Sequence, residues 1–86
     1  MKQIWVQLET ITEHPISRSQ AREVLLGLEK FNKIIFDFDK ILEVGQAFAD
    51  EIFRVFKNKY PDIQIQTEHM NQAVSFMVQR AQNTRR

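Results

Sequence analysis

The sequence predicts an α/β domain of order β-α-β-α-β-α: a small, mainly parallel sheet with helices on one face and the other face open. Three observations predict it. Segments that alternate with period two take turns along the chain with segments of helical periodicity, the pattern of parallel strands joined by crossover helices. Right-handed crossovers between neighbouring strands then put every helix on the same side. Finally, each strand turns polar residues to one of its faces, and the second turns two aspartates there. A sheet covered on both sides does not accommodate those.

The elements follow in order. Ile4-Trp5-Val6-Gln7-Leu8 alternates, with Ile4, Val6 and Leu8 on one side, and reads as the first strand. Residues 10–15 are polar and end in proline, a connection. Ser17-Arg18-Ser19-Gln20 has the form of a capping box, a side-chain acceptor with a reaching glutamine three residues on. Ala21, Val24, Leu25, Leu28 and Phe31 then recur at helical spacing and predict a helix over 18–31. Gly27 costs about 1 kcal/mol against alanine inside a helix and marks close packing or an early end. Leu26 falls off the apolar stripe and is expected at the surface.

Ile34 to Asp39 forms the second strand, with Ile34, Phe36 and Phe38 inward and Ile35, Asp37 and Asp39 on the open face. A second helix runs from Gly45 or Gln46 to about Tyr60, where Pro61 stops it. Its apolar residues fill an arc of about 160°, which suits the middle of a covering layer. Ile63 to Thr67 alternates as a third strand with its glutamines outward. Met70, Ala73, Val74, Met77, Val78 and Ala81 make the third helix. A short basic tail from about 82 carries Arg85 and Arg86.

Eighty-six residues make one domain, 1–86, and the core must be thin. Nine aromatic residues help, because each buries a large apolar area. The chain has no cysteine, hence no disulfide or thiolate metal site, and a cytoplasmic location is the expectation. Met1-Lys2-Gln3-Ile4-Trp5 lacks the apolar core of a signal peptide, and no run is apolar enough to cross a membrane. Twelve basic against eleven acidic residues leave a net charge of +1, which does not argue for nucleic acid. Arg80, Arg85 and Arg86 are better read as cations at a helix C-terminus. With glycines only at 27 and 45, the glycine-rich phosphate-cradling motifs G-x-x-x-x-G-K-S/T and G-x-G-x-x-G cannot occur. His14 and His69 stand far apart in sequence, so no metal or other cofactor is expected. Asp37 and Asp39 read as solvated carboxylates on an open sheet rather than as an acid–base pair, so no enzymatic activity is expected.

A site in such a sheet gathers at the carboxyl ends of the strands. Here that edge holds the segment from Asp39 to Gln46 and the segment from Thr67 to His69. Gly45 is expected to leave backbone N–H groups accessible there. The binding candidates are Asp39, Lys40, Glu43, Gly45 and Gln46, with Asp50 and Arg54 on the exposed face of the second helix.

Phe36-Asp37-Phe38-Asp39, followed by Val44-Gly45-Gln46-Ala47-Phe48-Ala49-Asp50-Glu51-Ile52-Phe53-Arg54-Val55-Phe56, resembles the bacterial STAS-like domains of unknown function. Ser17-Arg18-Ser19-Gln20-Ala21 resembles that family's approach to its first helix. Met70-Asn71-Gln72-Ala73-Val74 with Met77-Val78-Gln79-Arg80-Ala81 resembles its last helix. His69 departs from the pattern, standing where the first Asn of an Asn-x-Asn pair is expected. The resemblance implies a fold related to the antagonists of anti-sigma factors, small partner-switching proteins. In those relatives the loop before the second helix carries a serine that a kinase-like anti-sigma factor phosphorylates. Here that place falls at Gln46 and Ala47, and no Ser or Thr lies between Ser19 and Thr67.

The leading functional expectation is therefore a non-catalytic protein-binding regulatory module without the phosphorylatable serine, its partner a protein of the histidine-kinase-like ATPase class. The alternative is a self-associating scaffold, a homodimer through Trp5 and Ile35 on the open face. Binding of a small nucleotide or a nucleic acid ranks below both.

Overall fold

Three strands, β1 (Gln3–Gln7), β2 (Lys33–Asp37) and β3 (Gln64–Glu68), form one parallel sheet in the order β1-β2-β3 in the computed structural model, which describes residues 2–12 and 14–83. Val6 stands opposite Phe36, and Phe36 opposite Thr67. Three helices alternate with the strands: α1 (Arg18–Leu25), α2 (46–59) and α3 (Gln72–Gln82). This is the predicted β-α-β-α-β-α fold. The basic tail expected from about 82 lies, beyond Asn83, outside the described residues.

The alternation inside each strand decides which face is covered. Val6, Ile34 and Phe36 face the helices and join Phe38, Phe48, Ile52, Val74 and Val78 in one core. The Phe53 ring meets Phe36 edge-on at 6.1 Å and stacks on Phe38 at 6.5 Å, fixing α2 over the middle of the sheet. On the opposite face Ile35 is buried but stays outside that core cluster, and Trp5 is exposed.

Ser17 and Gln20 form the expected capping box. Ser17 Oγ accepts from the Gln20 amide, and Gln20 Oε1 accepts from the amides of Ser17 and Ile16. The first helix, however, stops at Leu25, well short of 31. Gly27 has φ +80°, a left-handed conformation that ends the helix, and a short 3-10 turn (Leu28–Lys30) follows. Leu28 and Phe31 still reach the core from that turn, so the apolar periodicity continues across the break. In α2 the middle stretch, Glu51–Phe56, has π geometry. Across this stretch three consecutive residues, Glu51, Ile52 and Phe53, are buried, a wider arc than the single apolar stripe of a surface helix. Among the described residues no helix is long and apolar enough to cross a membrane.

Candidate functional site at the carboxyl edge of the sheet

Because the strands are parallel, their carboxyl ends open into three connections on one edge: 8–17, 38–45 and 69–71. The middle one is held by buried anchors, Phe38, Ile41 and Val44, between which Asp39, Lys40, Leu42 and Glu43 are exposed. Its first turn closes with the Ile41 amide donating to the Phe38 carbonyl at 3.0 Å. Lys40 at the third position has φ +68°, the left-handed conformation of a type II turn. Asn71 holds the far side. Its Nδ2 donates to the Leu42 carbonyl at 2.9 Å while its Oδ1 accepts from the Val74 amide and caps α3. One side chain thus ties the loop to a helix.

Gly45 does not leave its N–H free, as the sequence suggested. That amide donates to the Pro15 carbonyl at 2.9 Å, and the Phe48 amide donates to the Ile16 carbonyl at 3.2 Å. These bonds staple the first connection to the start of α2 and use donors that a ligand would need. Gly45 has ordinary extended backbone, so glycine is required there by space. A Cβ would sit 2.8 Å from Ile16 Cα and 2.9 Å from its carbonyl carbon.

On this braced edge three large apolar side chains face solvent: Ile11 (52% exposed), Ile16 (54%) and Leu42 (80%). Asp39, Lys40 and Glu43 on the middle connection and Gln46 at the start of α2 are exposed beside them in the chain.

The third connection adds a pair that the sequence reading did not assemble. Asp37 was expected to be solvated on the open face, but its side chain is only 7% exposed. Its Oδ2 accepts from Trp5 Nε1 at 3.0 Å, and its Oδ1 accepts from the Asp39 amide at 3.0 Å and from His69 Nδ1 at 2.9 Å. Burial pushes the Asp37 carboxyl up, but the hydrogen bonds from His69, the Asp39 amide and Trp5 outweigh it and hold the pKa below the ordinary value. The His69 imidazole is raised, chiefly by its hydrogen bond to Asp37 and further by the nearby charges of Asp39 and Glu68. Its ring is 57% exposed, and its backbone is left-handed, with φ +59°.

The family model for the STAS-like domain of unknown function (DUF4325) matches residues 20–75. The chain belongs to that family. No curated protein and no solved structure matches it. In this STAS-like domain the matched stretch takes in the 38–45 loop, Asp37, His69 and Asn71, and leaves out β1 with Trp5. His69 stands where the resemblance implied the first Asn of an Asn-x-Asn pair. The second, Asn71, is the side chain that clamps the loop.

Two further expectations need correction. Asp50 and Arg54 do not form a free helix face. Arg54 chelates Asp50, with Nη2 2.7 Å from Oδ2, and Arg18 Nη1 of α1 reaches Asp50 at 3.1 Å and the buried Glu51 at 2.9 Å. Arg22 completes the cluster with Glu51 at 3.4 Å. The hydrogen bonds from Arg54, against the penalty of burial, leave the Asp50 carboxyl below its ordinary range. This network joins α1 to α2. Ile35, expected beside Trp5 as a self-association patch, is only 5% exposed, because the central strand has ladder neighbours on both sides. Trp5 is 52% exposed but spends its indole N–H on Asp37. Among the described residues no group of three or more His, Asp or Glu side chains could hold a metal ion.

Proposed function

We propose that this STAS-like domain is a non-catalytic protein-binding regulatory module that docks its partner on the carboxyl edge of the sheet. The observation that carries this reading is the placement of Ile11, Ile16 and Leu42. Among the described residues, half of the large exposed apolar side chains stand on two connections of one edge, near Asp39, Lys40, Glu43 and Gln46 in the chain. An apolar centre within a charged rim is the anatomy of a docking surface, and Leu42 is its anchor. The braced backbone beneath reduces the ordering cost of binding. The resemblance to anti-sigma-factor antagonists supports a histidine-kinase-like ATPase as partner and the cytoplasm as the compartment. A switch of the relatives' kind cannot operate at Gln46 or Ala47, which have no hydroxyl.

A photo-crosslinking side chain at position 42, compared with one at exposed position 62 on the opposite edge, tests the reading in native-host lysate. One protein species should be captured from 42 and not from 62, and a Lys40→Glu, Gln46→Glu variant should lose it. Equal capture from both positions, or capture from 62 alone, overturns the proposed edge.

A further inference from the structure

We propose that His69 is a phosphoryl-acceptor site, taking the phosphoryl group on Nε2 from an activated phosphoryl donor, with Asp37 as the positioning residue behind it. The inference concerns covalent modification of this chain and stands independently of the docking surface.

The geometry is that of an oriented nucleophile. An ionised carboxylate can only accept, so the 2.9 Å contact to Asp37 Oδ1 fixes the proton of the neutral imidazole on Nδ1. The free lone pair is then on Nε2, which makes no hydrogen bond among the described residues. Asp37 itself cannot swing away. Its other oxygen is held by the Trp5 indole, and the oxygen facing His69 also accepts the Asp39 amide. The ring, by contrast, is more than half exposed at the sheet edge, where a donor can reach it. An imidazole serving only to satisfy a buried carboxylate has no need of such exposure.

Other uses of a carboxylate–imidazole pair need a third group that is missing. A base for a hydroxyl or thiol requires one within reach. The chain has no cysteine, and among the described residues no hydroxyl hydrogen-bonds His69. Thr67 pairs with Phe36 in the register that faces the helices. Nor do the described residues offer a three-ligand metal cluster. Nucleophilic attack by the imidazole itself needs only what is present.

The step balances simply. Nε2 of neutral His69 attacks phosphorus, the bond from phosphorus to its leaving group breaks, and the leaving group departs with that electron pair. The new bond makes the ring a cation, while the proton stays on Nδ1 and keeps its hydrogen bond to the Asp37 carboxylate. Asp37, Asp39 and Glu68 are the charged groups acting on the ring, and all three favour that developing positive charge. The contact from Asp37 contributes most.

The chain supplies its own control, because its other histidine, His14, is exposed and makes no carboxylate pair among the described residues. The full chain is treated with phosphoramidate at about pH 9, where ordinary imidazoles have shed their second proton, and both positions are followed by peptide mass spectrometry. His69 should acquire an acid-labile phosphoryl group at least about tenfold faster than His14, the lower end of what a hydrogen-bonded partner that orients an imidazole is worth in activity. Phosphorus–nitrogen couplings in NMR should place it on Nε2, and Asp37→Asn should bring the His69 rate down to that of His14. Comparable rates at the two histidines of the folded wild type, or attachment at Nδ1, overturn the proposal. The wild-type ratio decides this even if Asp37→Asn fails to fold.

Discussion

Replacing Gly45 with alanine tests whether that glycine serves the fold or a ligand. Its φ of −78° suits any residue, so no backbone strain is introduced. The cost comes from the new Cβ, placed 2.8 Å and 2.9 Å from Ile16 backbone atoms that cannot rotate away. The 15–16 segment must retreat, stretching the two hydrogen bonds to the Gly45 and Phe48 amides. Two weakened bonds at about 0.5 kcal/mol each, with overpacking of about 1–3 kcal/mol, imply a loss of about 2–4 kcal/mol. For a domain of this size, with a urea m-value of about 1 kcal/mol/M, the midpoint should fall by about 2–4 M. Gly27→Ala is the comparison. It has open space around the Cβ but φ +80°, so only the left-handed strain of about 1–2 kcal/mol applies. Urea unfolding followed by Trp5 fluorescence measures both. The reasoning is refuted if Gly45→Ala keeps the wild-type midpoint. A stable variant that also lost its partner would restore Gly45 to the binding surface itself.

Arg18→Ala should cost about 1–2 kcal/mol by urea midpoint, because Glu51 keeps only the long Arg22 contact. The 40% exposure of Arg18 keeps the loss below that of a fully buried pair. Lys40→Gly should stabilise the domain by about 0.5–1 kcal/mol, since glycine adopts the left-handed turn freely but loses more entropy on folding. The Asp37–His69 pair makes stability depend on pH at both ends. His69 is raised, so its contribution is complete below about pH 6.5 and is lost as pH rises through the folded value. Asp37 is lowered, so its contribution is complete above about pH 3.9 and is lost as pH falls through the folded value. Urea midpoints of the wild type and His69→Gln should therefore differ most between those limits and converge at high pH. A constant difference across the range would show that the pair is not coupled.

The fold was legible because its signals are local. Period-two strands, a genuine Ser17–Gln20 capping box and the stop at Pro61 each follow from neighbouring residues. What escaped depends on contacts between segments. The π stretch of α2 and the burial of Glu51 beside Arg18 are features that helical periodicity cannot express. Asp37 looked solvated because a strand read alone does not show that its neighbours bring Trp5 and His69 to it. A signal was nonetheless available. In a parallel sheet of order β1-β2-β3 the last residue of β2 and the residue just after β3 must share one edge, and these are Asp37 and His69. The same topology places Ile11, Ile16 and Leu42 on that edge. Gly45 misled for another reason: glycine signals either conformational freedom or lack of space, and only the packed chain distinguishes them.

The two left-handed residues other than glycine argue further for this edge. Lys40 and His69 are the described positions of that kind, and each stands just beyond the carboxyl end of a strand. Glycine would serve the backbone better at both, by about 1 kcal/mol or more. At His69 the side chain offsets this through Asp37. Lys40 is exposed, and the loop beneath it is fixed by Phe38, Ile41 and Asn71 whatever side chain it carries. A lysine held in that conformation therefore costs the fold stability without a compensating contact that the geometry reveals. The docking surface proposed for this edge would supply the compensation. On this reasoning Lys40→Gly should raise the urea midpoint and lower crosslinking from position 42 in the same protein, a combination that neither a purely structural lysine nor a general weakening of the domain would produce.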